Sequence, residues 1–258
     1  MIQIQNVVKT YPHSQRPAIN DVSLNVEPGE FLALLGESGC GKTTLMKSIN
    51  RLIEISSGQI LVDGQNIAGA DPVQLRRRIG YVFQEIGLFP HMTVGENIAL
   101  VPRMLKWDED QIRPRVEELL EMVKLPPGEY HDRLSGALSG GQRQRIGVAR
   151  AIAASPKIVL MDEPFGALDP LNRDLLQREY LQIHRELGLT TVMVTHDMME
   201  ALLMADRVAV MHLGELVQVG TPQELLKCPE NDYVEQMIET PRRQADELES
   251  LMGGHSHE

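Results

Sequence analysis

From Met1 to Val26 apolar and polar residues alternate, with Ile2, Ile4, Val22, Leu24 and Val26 on the apolar positions. A period of two is the mark of strands buried on one face. Pro28-Gly29 then reads as a turn. Four later runs are short and mainly apolar, and each stops at a glycine or polar residue: Phe31 to Leu35 before Gly36, Gly80 to Phe83 before Gln84, Ile158 to Met161 before Asp162, and Thr191 to Thr195 before His196. Helical patterns separate several of them. Strands alternating with helices predict an α/β fold with a mostly parallel sheet covered on both faces, in which ligands bind at the carboxyl ends of the strands. The residues just past those ends are therefore where chemistry is expected.

Between Gln84 and Ser155 the pattern becomes helical and charged, as in Trp107 to Lys124 and Gly141 to Ala154. This predicts a helical subdomain over about 85–155, inserted into a sheet core of about 1–84 and 156–226. The remaining segment, 227–258, is expected to be an acidic tail outside the core, since residues from 221 onward carry nine carboxylates against three basic side chains. Its last residues, Gly253 to Glu258, are expected to fray, and His255 and His257 to be inert there. Arg76-Arg77-Arg78 and the pair Arg143 and Arg145 read as solvated helix faces.

Composition narrows the classes. The chain of 258 residues is 42% hydrophobic and 24% charged, which fits a folded domain. No apolar run approaches the ~18 residues needed to cross a bilayer, and the chain enters its strand pattern directly, so the expected location is cytoplasmic. Cys40 and Cys228 are too far apart to suggest a disulfide framework or zinc site. The net charge of −11 argues against nucleic acid as a partner.

Chemistry enters at Gly36-Glu37-Ser38-Gly39-Cys40-Gly41-Lys42-Thr43-Thr44, which matches the phosphate-loop pattern G-x-x-x-x-G-K-[ST] between a predicted strand and the helical stretch Leu45 to Leu52. The glycines allow successive N–H groups to turn inward at a helix N-terminus, making a nest for phosphate oxygens. Lys42 would contact the β- and γ-phosphates of a nucleotide such as ATP, and the Thr43 hydroxyl would ligate Mg²⁺. Lys157-Ile-Val-Leu-Met-Asp162-Glu163-Pro164 then supplies carboxylates at a strand end: Asp162 for the metal, and Glu163 to polarise a water for attack on the γ-phosphate.

Leu138-Ser139-Gly140-Gly141-Gln142 carries the resemblance further, because Leu-Ser-Gly-Gly-Gln is the signature of ABC ATPases. The chain resembles that family from Ile2 to about Leu226. The resemblance implies a P-loop NTPase fold with N-terminal antiparallel strands. It makes Tyr11 the aromatic that stacks on adenine, Gln84 the Q-loop residue at the metal, Ala167-Leu168-Asp169 the D-loop, and His196 the switch histidine. Taken singly, Gln84 and His196 are ordinary strand-end polar residues.

The signature places a second anion-binding helix end in one chain. Either the helical subdomain folds over its own phosphate loop, or two copies pair so that each signature closes over the partner's nucleotide. The family implies the homodimer. It also implies transmembrane permease subunits, which would dock on Leu88, Phe89 and Met92, an extracytoplasmic substrate-binding protein, and a peripheral position on the inner face of the membrane. Ile49 to Glu54, Ile86 to Val94, and Asn97 to Pro102 with Trp107 are similar to the osmoprotectant branch, importers of glycine betaine, choline and carnitine. Ala137 departs from that branch, where an acidic residue usually precedes the signature leucine. An importer of amino acids or other small polar solutes, and a soluble ABC ATPase without a permease, share the same motifs.

Overall fold

The computed structural model describes residues 1–84 and 87–253. The alternating N-terminal stretch forms β1 (Ile2–Lys9) and β2 (Ile19–Val26), and the apolar run after the turn forms β3 (Phe31–Leu35). Then come α1 (Lys42–Ile49), β4 (Ser57–Val62), β5 (Gln65–Asn66), α2 (Pro72–Arg77) and β6 (Ile79–Val82). The predicted helical region holds α3 (Val94–Met104), α4 (Glu109–Met122), α5 (Pro127–Tyr130) and α6 (Gly140–Ile152). The chain returns to the sheet with β7 (Ile158–Asp162), α7 (Pro170–Leu187), β8 (Thr190–Thr195), α8 (Met198–Met204), β9 (Arg207–His212) and β10 (Glu215–Gly220). It ends in α9 (Pro222–Lys227) and α10 (Asp232–Gly253).

A six-stranded sheet has the order β10-β9-β3-β8-β7-β6, parallel except for the antiparallel pair β10 and β9. A second, antiparallel sheet has the order β2-β1-β4-β5. The parallel strands are buried at nearly every position because both faces are covered. In β3, Phe31, Ala33 and Leu35 point into one core with α3, α4, α6, α7 and α8, while Leu32 and Leu34 point into another with α1 and the antiparallel sheet. The carboxyl ends of β3, β6, β7 and β8 are thereby fixed from above and below.

Helix starts are set by side chains. Thr93 with Glu96 and Ser139 with Gln142 form capping boxes, and Asp169 caps α7 ahead of Pro170. Gly188 closes α7 at φ 58°, a conformation costly for residues bearing a Cβ.

Two expectations are revised. Arg145 does not lie on a solvated face: it ion-pairs with the largely buried Glu179 and donates to the Val123 carbonyl. Arg76 and Arg78 are exposed, as expected, although Arg76 also donates to the Asn50 and Arg51 carbonyls and ties α2 to the end of α1. The segment after 226 begins by packing into the core, because Val234 and Ile238 of α10 are 0% and 3% exposed. Alternating charge hid an apolar stripe at helical spacing. His255 and His257 lie outside the described residues.

Candidate nucleotide site

The loop between β3 and α1 is shaped by its glycines. A Cβ on Gly36 would collide with the Met211 carbonyl oxygen, and one on Gly41 with that of Ala18. Gly41, at φ 107°, stands at the N-cap of α1 without offering a side-chain acceptor, so the first N–H groups of the helix are left to face the loop. Lys42 is buried, and its ammonium donates to the Gly36 and Glu37 carbonyls at 2.6 and 2.8 Å. Glu37, Ser38 and Gly39 are exposed, whereas Cys40 is buried. The outer rim of the loop is open to a ligand and its base is fixed.

The Thr43 hydroxyl donates to Asp162 Oδ1 at 2.9 Å, joining α1 to the end of β7. Lys47 pairs with the other oxygen of Asp162 at 3.4 Å, and the Tyr81 hydroxyl lies 3.5 Å from it. Burial first, and the Asp162 charge second, push the Tyr81 phenol well above its ordinary pKa. The phenol therefore stays neutral. Among the described residues no three His, Cys, Asp or Glu side chains cluster as a metal cage. A hydroxyl beside one carboxylate still fits Mg²⁺, which is commonly held by few protein oxygens together with water and substrate phosphates.

Glu163 leaves the strand line. Its φ of 44° is in the left-handed region, uncommon for a residue with a Cβ, and its N–H donates to the Val194 carbonyl of β8 at 3.0 Å. Its carboxylate thereby meets the ends of both flanking strands: Gln84 Nε2 donates to Oε2 at 3.2 Å, and His196 Nδ1 lies 3.3 Å from the same oxygen. Strain of this kind persists where surroundings over-determine it, and functional sites are common places. The His196 loop is braced in turn: Thr195 Oγ1 donates to the buried Glu200 at 2.7 Å and accepts from the Asp197 N–H at 3.0 Å. Burial raises the Glu200 carboxyl's pKa.

Tyr11 is 39% exposed, its hydroxyl 3.4 Å from Thr44 Oγ1 and Lys9 Nζ 5.1 Å from its ring centre. Its ring is thus partly open to solvent beside the phosphate loop, with the Lys9 ammonium over it. The structure does not bring the signature there. Ser139 Oγ accepts from the Gln142 N–H, Gln142 Oε1 accepts from the Ser139 N–H while its Nε2 donates to Tyr130, Gly140 is exposed, and Gly141 has only the Asn172 side chain beside it. Among the described residues no hydrogen bond links Ser139 to Gln142 with residues 36 to 44. Asp169 is likewise engaged with Asn172 of its own helix, which lowers its pKa.

A cavity of about 430 Å³ opens between the sheet edge and the helical region, lined by Leu52, Phe83, Phe89, Leu100, Val101 and Arg150. Phe89 is 42% exposed, which excludes its complete burial between the two regions. The loop carrying it is nevertheless fixed, because Asn97 bonds both backbone groups of Phe89 and Ser135, just before the signature, donates to its carbonyl at 2.7 Å. Ser135, Lys47 and Tyr81 were not singled out by sequence; each partner is distant along the chain. Ile86 of the expected docking segment lies outside the described residues.

Residues 19–166 match the ABC transporter family. The chain is 56% identical over 238 residues to the glycine betaine/carnitine/choline transport ATP-binding protein OpuCA of Bacillus subtilis, covering 92% of this chain and 62% of that protein. It is 48% identical over 238 residues to the glycine betaine uptake system ATP-binding protein YehX of Escherichia coli, covering 92% of this chain and 76% of that protein. The chain thus spans less than two thirds of the first of these relatives. Among solved structures, a dimeric post-hydrolysis state of the ATP-binding cassette MJ0796 bound to ADP and Pi superposes with a TM-score of 0.76 at 32% identity, covering 86% of this chain and 99% of that one.

Proposed function

The chain belongs to the ABC transporter family, and from that premise we propose that it is the ATP-hydrolysing subunit of an importer for osmoprotectants such as glycine betaine, carnitine or choline. The observation that carries the catalytic reading is the meeting of Gln84, Glu163 and His196 at three adjacent strand ends, beside the Thr43 and Asp162 pair.

Position supports each role. Residues 36 to 44 hold the ATP phosphates, with Lys42 giving up its loop carbonyls for phosphate oxygens, and Tyr11 stacks on adenine. Thr43, Asp162 and Gln84 hold Mg²⁺, which when bound neutralises charge on the phosphate oxygens. Glu163 accepts a proton from the attacking water, and His196 and Gln84 orient its carboxylate and sense the γ-phosphate. The outward-facing ends at Ser139, Gly140 and Gly141, and Asp169 beside them, are suited to a second copy of the chain, so that two nucleotides lie between two subunits. Gln142 supports this surface by fixing Ser139.

The groove at Phe89 is the surface on which a permease subunit docks, and Asn97 and Ser135 transmit its position to the signature. No helix among the described residues is long and apolar enough to cross a membrane. Translocation is assigned to permease subunits, with the chain on the cytoplasmic face and a substrate-binding protein outside. The test is uptake of radiolabelled glycine betaine in cells expressing the chain with its permease, alongside phosphate release by the purified complex. Uptake and hydrolysis should both require Asp162. Hydrolysis without betaine, choline or carnitine uptake would overturn the cargo assignment.

A further inference from the structure

The C-terminal helix touches the phosphate loop. Asn231 caps α10 by accepting from the Val234 N–H at 3.0 Å, and Val234 and Ile238 anchor the helix in the core. Tyr233, in the first turn, is thereby held against His212 at the end of β9, with ring centroids 4.0 Å apart. Its hydroxyl oxygen accepts from the Glu37 N–H at 3.3 Å. The Glu37 carbonyl accepts from Lys42 at 2.8 Å and, more loosely, from the Cys40 N–H at 3.3 Å. Both backbone groups of this loop residue are therefore engaged, one by the lysine that would leave for phosphate and the other by α10. The turn between β9 and β10 braces the same loop, since the Gly214 N–H donates to the Cys40 carbonyl at 3.0 Å.

We propose that Tyr233 is a positioning residue through which α10 holds the phosphate loop in its nucleotide-accepting shape, so that displacing α10 weakens ATP binding. The inference rests on the nucleotide reading of the loop. When Lys42 turns to phosphate the Glu37 carbonyl keeps only the Cys40 N–H from within the loop, at 3.3 Å, and Tyr233 is the contact from outside the loop that still holds Glu37. Signals acting on the C-terminal segment thus have a direct route to nucleotide affinity.

Tyr233→Phe in the full chain tests this, because it keeps the ring against His212 and removes only the hydroxyl. Three quantities are read: amide exchange at Glu37, with Val194 as a control in the core; ATP affinity by titration; and KM and kcat for hydrolysis. Exchange at Glu37 should quicken about 3- to 10-fold, the factor one hydrogen bond is worth, with Val194 unchanged. Kd and KM for ATP should rise by a similar factor while kcat stays within about twofold. Unchanged exchange at Glu37, or faster exchange with unchanged ATP affinity, overturns the proposal. If the wild-type chain binds no ATP, the nucleotide reading falls and this proposal with it, whereas wild-type binding matched by the variant sinks this proposal alone.

Discussion

Oε2 of Glu163 stands 3.3 Å from Nδ1 of His196, across the ends of the neighbouring parallel strands β7 and β8. The left-handed turn at Glu163 is what makes the contact, since a residue continuing β7 in extended geometry would send its side chain to a face of the sheet instead. A carboxylate held between an imidazole and an amide has few rotamers left, so a water placed against it meets a base of fixed direction.

Lys42→Ala removes the buried ammonium that donates to the Gly36 and Glu37 carbonyls and to which the proposed function gives the ATP phosphates. Charge-assisted hydrogen bonds are worth about 1.5–3 kcal/mol. ATP affinity measured by titration should fall about 10- to 100-fold, with the fold intact by circular dichroism.

Ser139→Arg should leave ATP binding to the single chain unchanged, because Ser139 makes no hydrogen bond to the phosphate loop of its own chain. Its long side chain would obstruct a second copy's nucleotide. Loss of the cap on α6 should cost about 0.5–2 kcal/mol of stability. Light scattering of the double variant with Glu163→Gln should show a monomer at saturating ATP.

Deleting 241–258 retains Tyr233, Val234 and Ile238 and should leave ATPase activity nearly intact. Deleting from 232 strips two buried apolar side chains from the core, a loss of about 3–6 kcal/mol at roughly 1.5–3 kcal/mol each. Thermal melts of the two truncations should separate clearly.

His184 gives the stability a pH dependence. Burial against Phe31 and Thr191 pushes its imidazole pKa below the ordinary value, with Asp206 opposing. The unfolded chain therefore binds the proton more readily. This contribution is fully present above the unfolded value of about 6.5, and it is lost as pH falls from there through the lower folded value. Urea melts should show the advantage of wild type over His184→Asn shrinking between pH 7.5 and 5.5. A pH-independent difference would mean the imidazole is not held neutral by burial.

Much of the site was legible because its residues follow apolar strands directly. Gly36 after β3 and Asp162 with Glu163 at the end of β7 are marked by runs whose register leaves few alternatives. The strand before Gln84 was placed one residue late, since Phe83 looks like strand interior but is exposed past the end of β6. β4, β5, β9 and β10 were missed: polar, partly exposed positions break the pattern of β4, β5 and β10, whereas β9 is a continuous apolar run, Val208 to Met211, buried on both faces, whose lack of alternation does not by itself mark a strand. The engagement of Tyr233 with Glu37 and the ion pair of Lys47 with Asp162 depend on chain return over long separations, which local patterns do not encode. In the acidic tail, charge was read as solvation, although a helix can bury Val234 and Ile238 on one side and expose its carboxylates on the other.

The most direct test of the account is Glu163→Gln, which keeps the side chain's shape and its neighbours while removing the base. ATP turnover should fall about 100-fold or more with binding retained, and light scattering should find an ATP-bound dimer that wild type forms only transiently. Hydrolysis at the wild-type rate would contradict the assignment of Glu163 as the base.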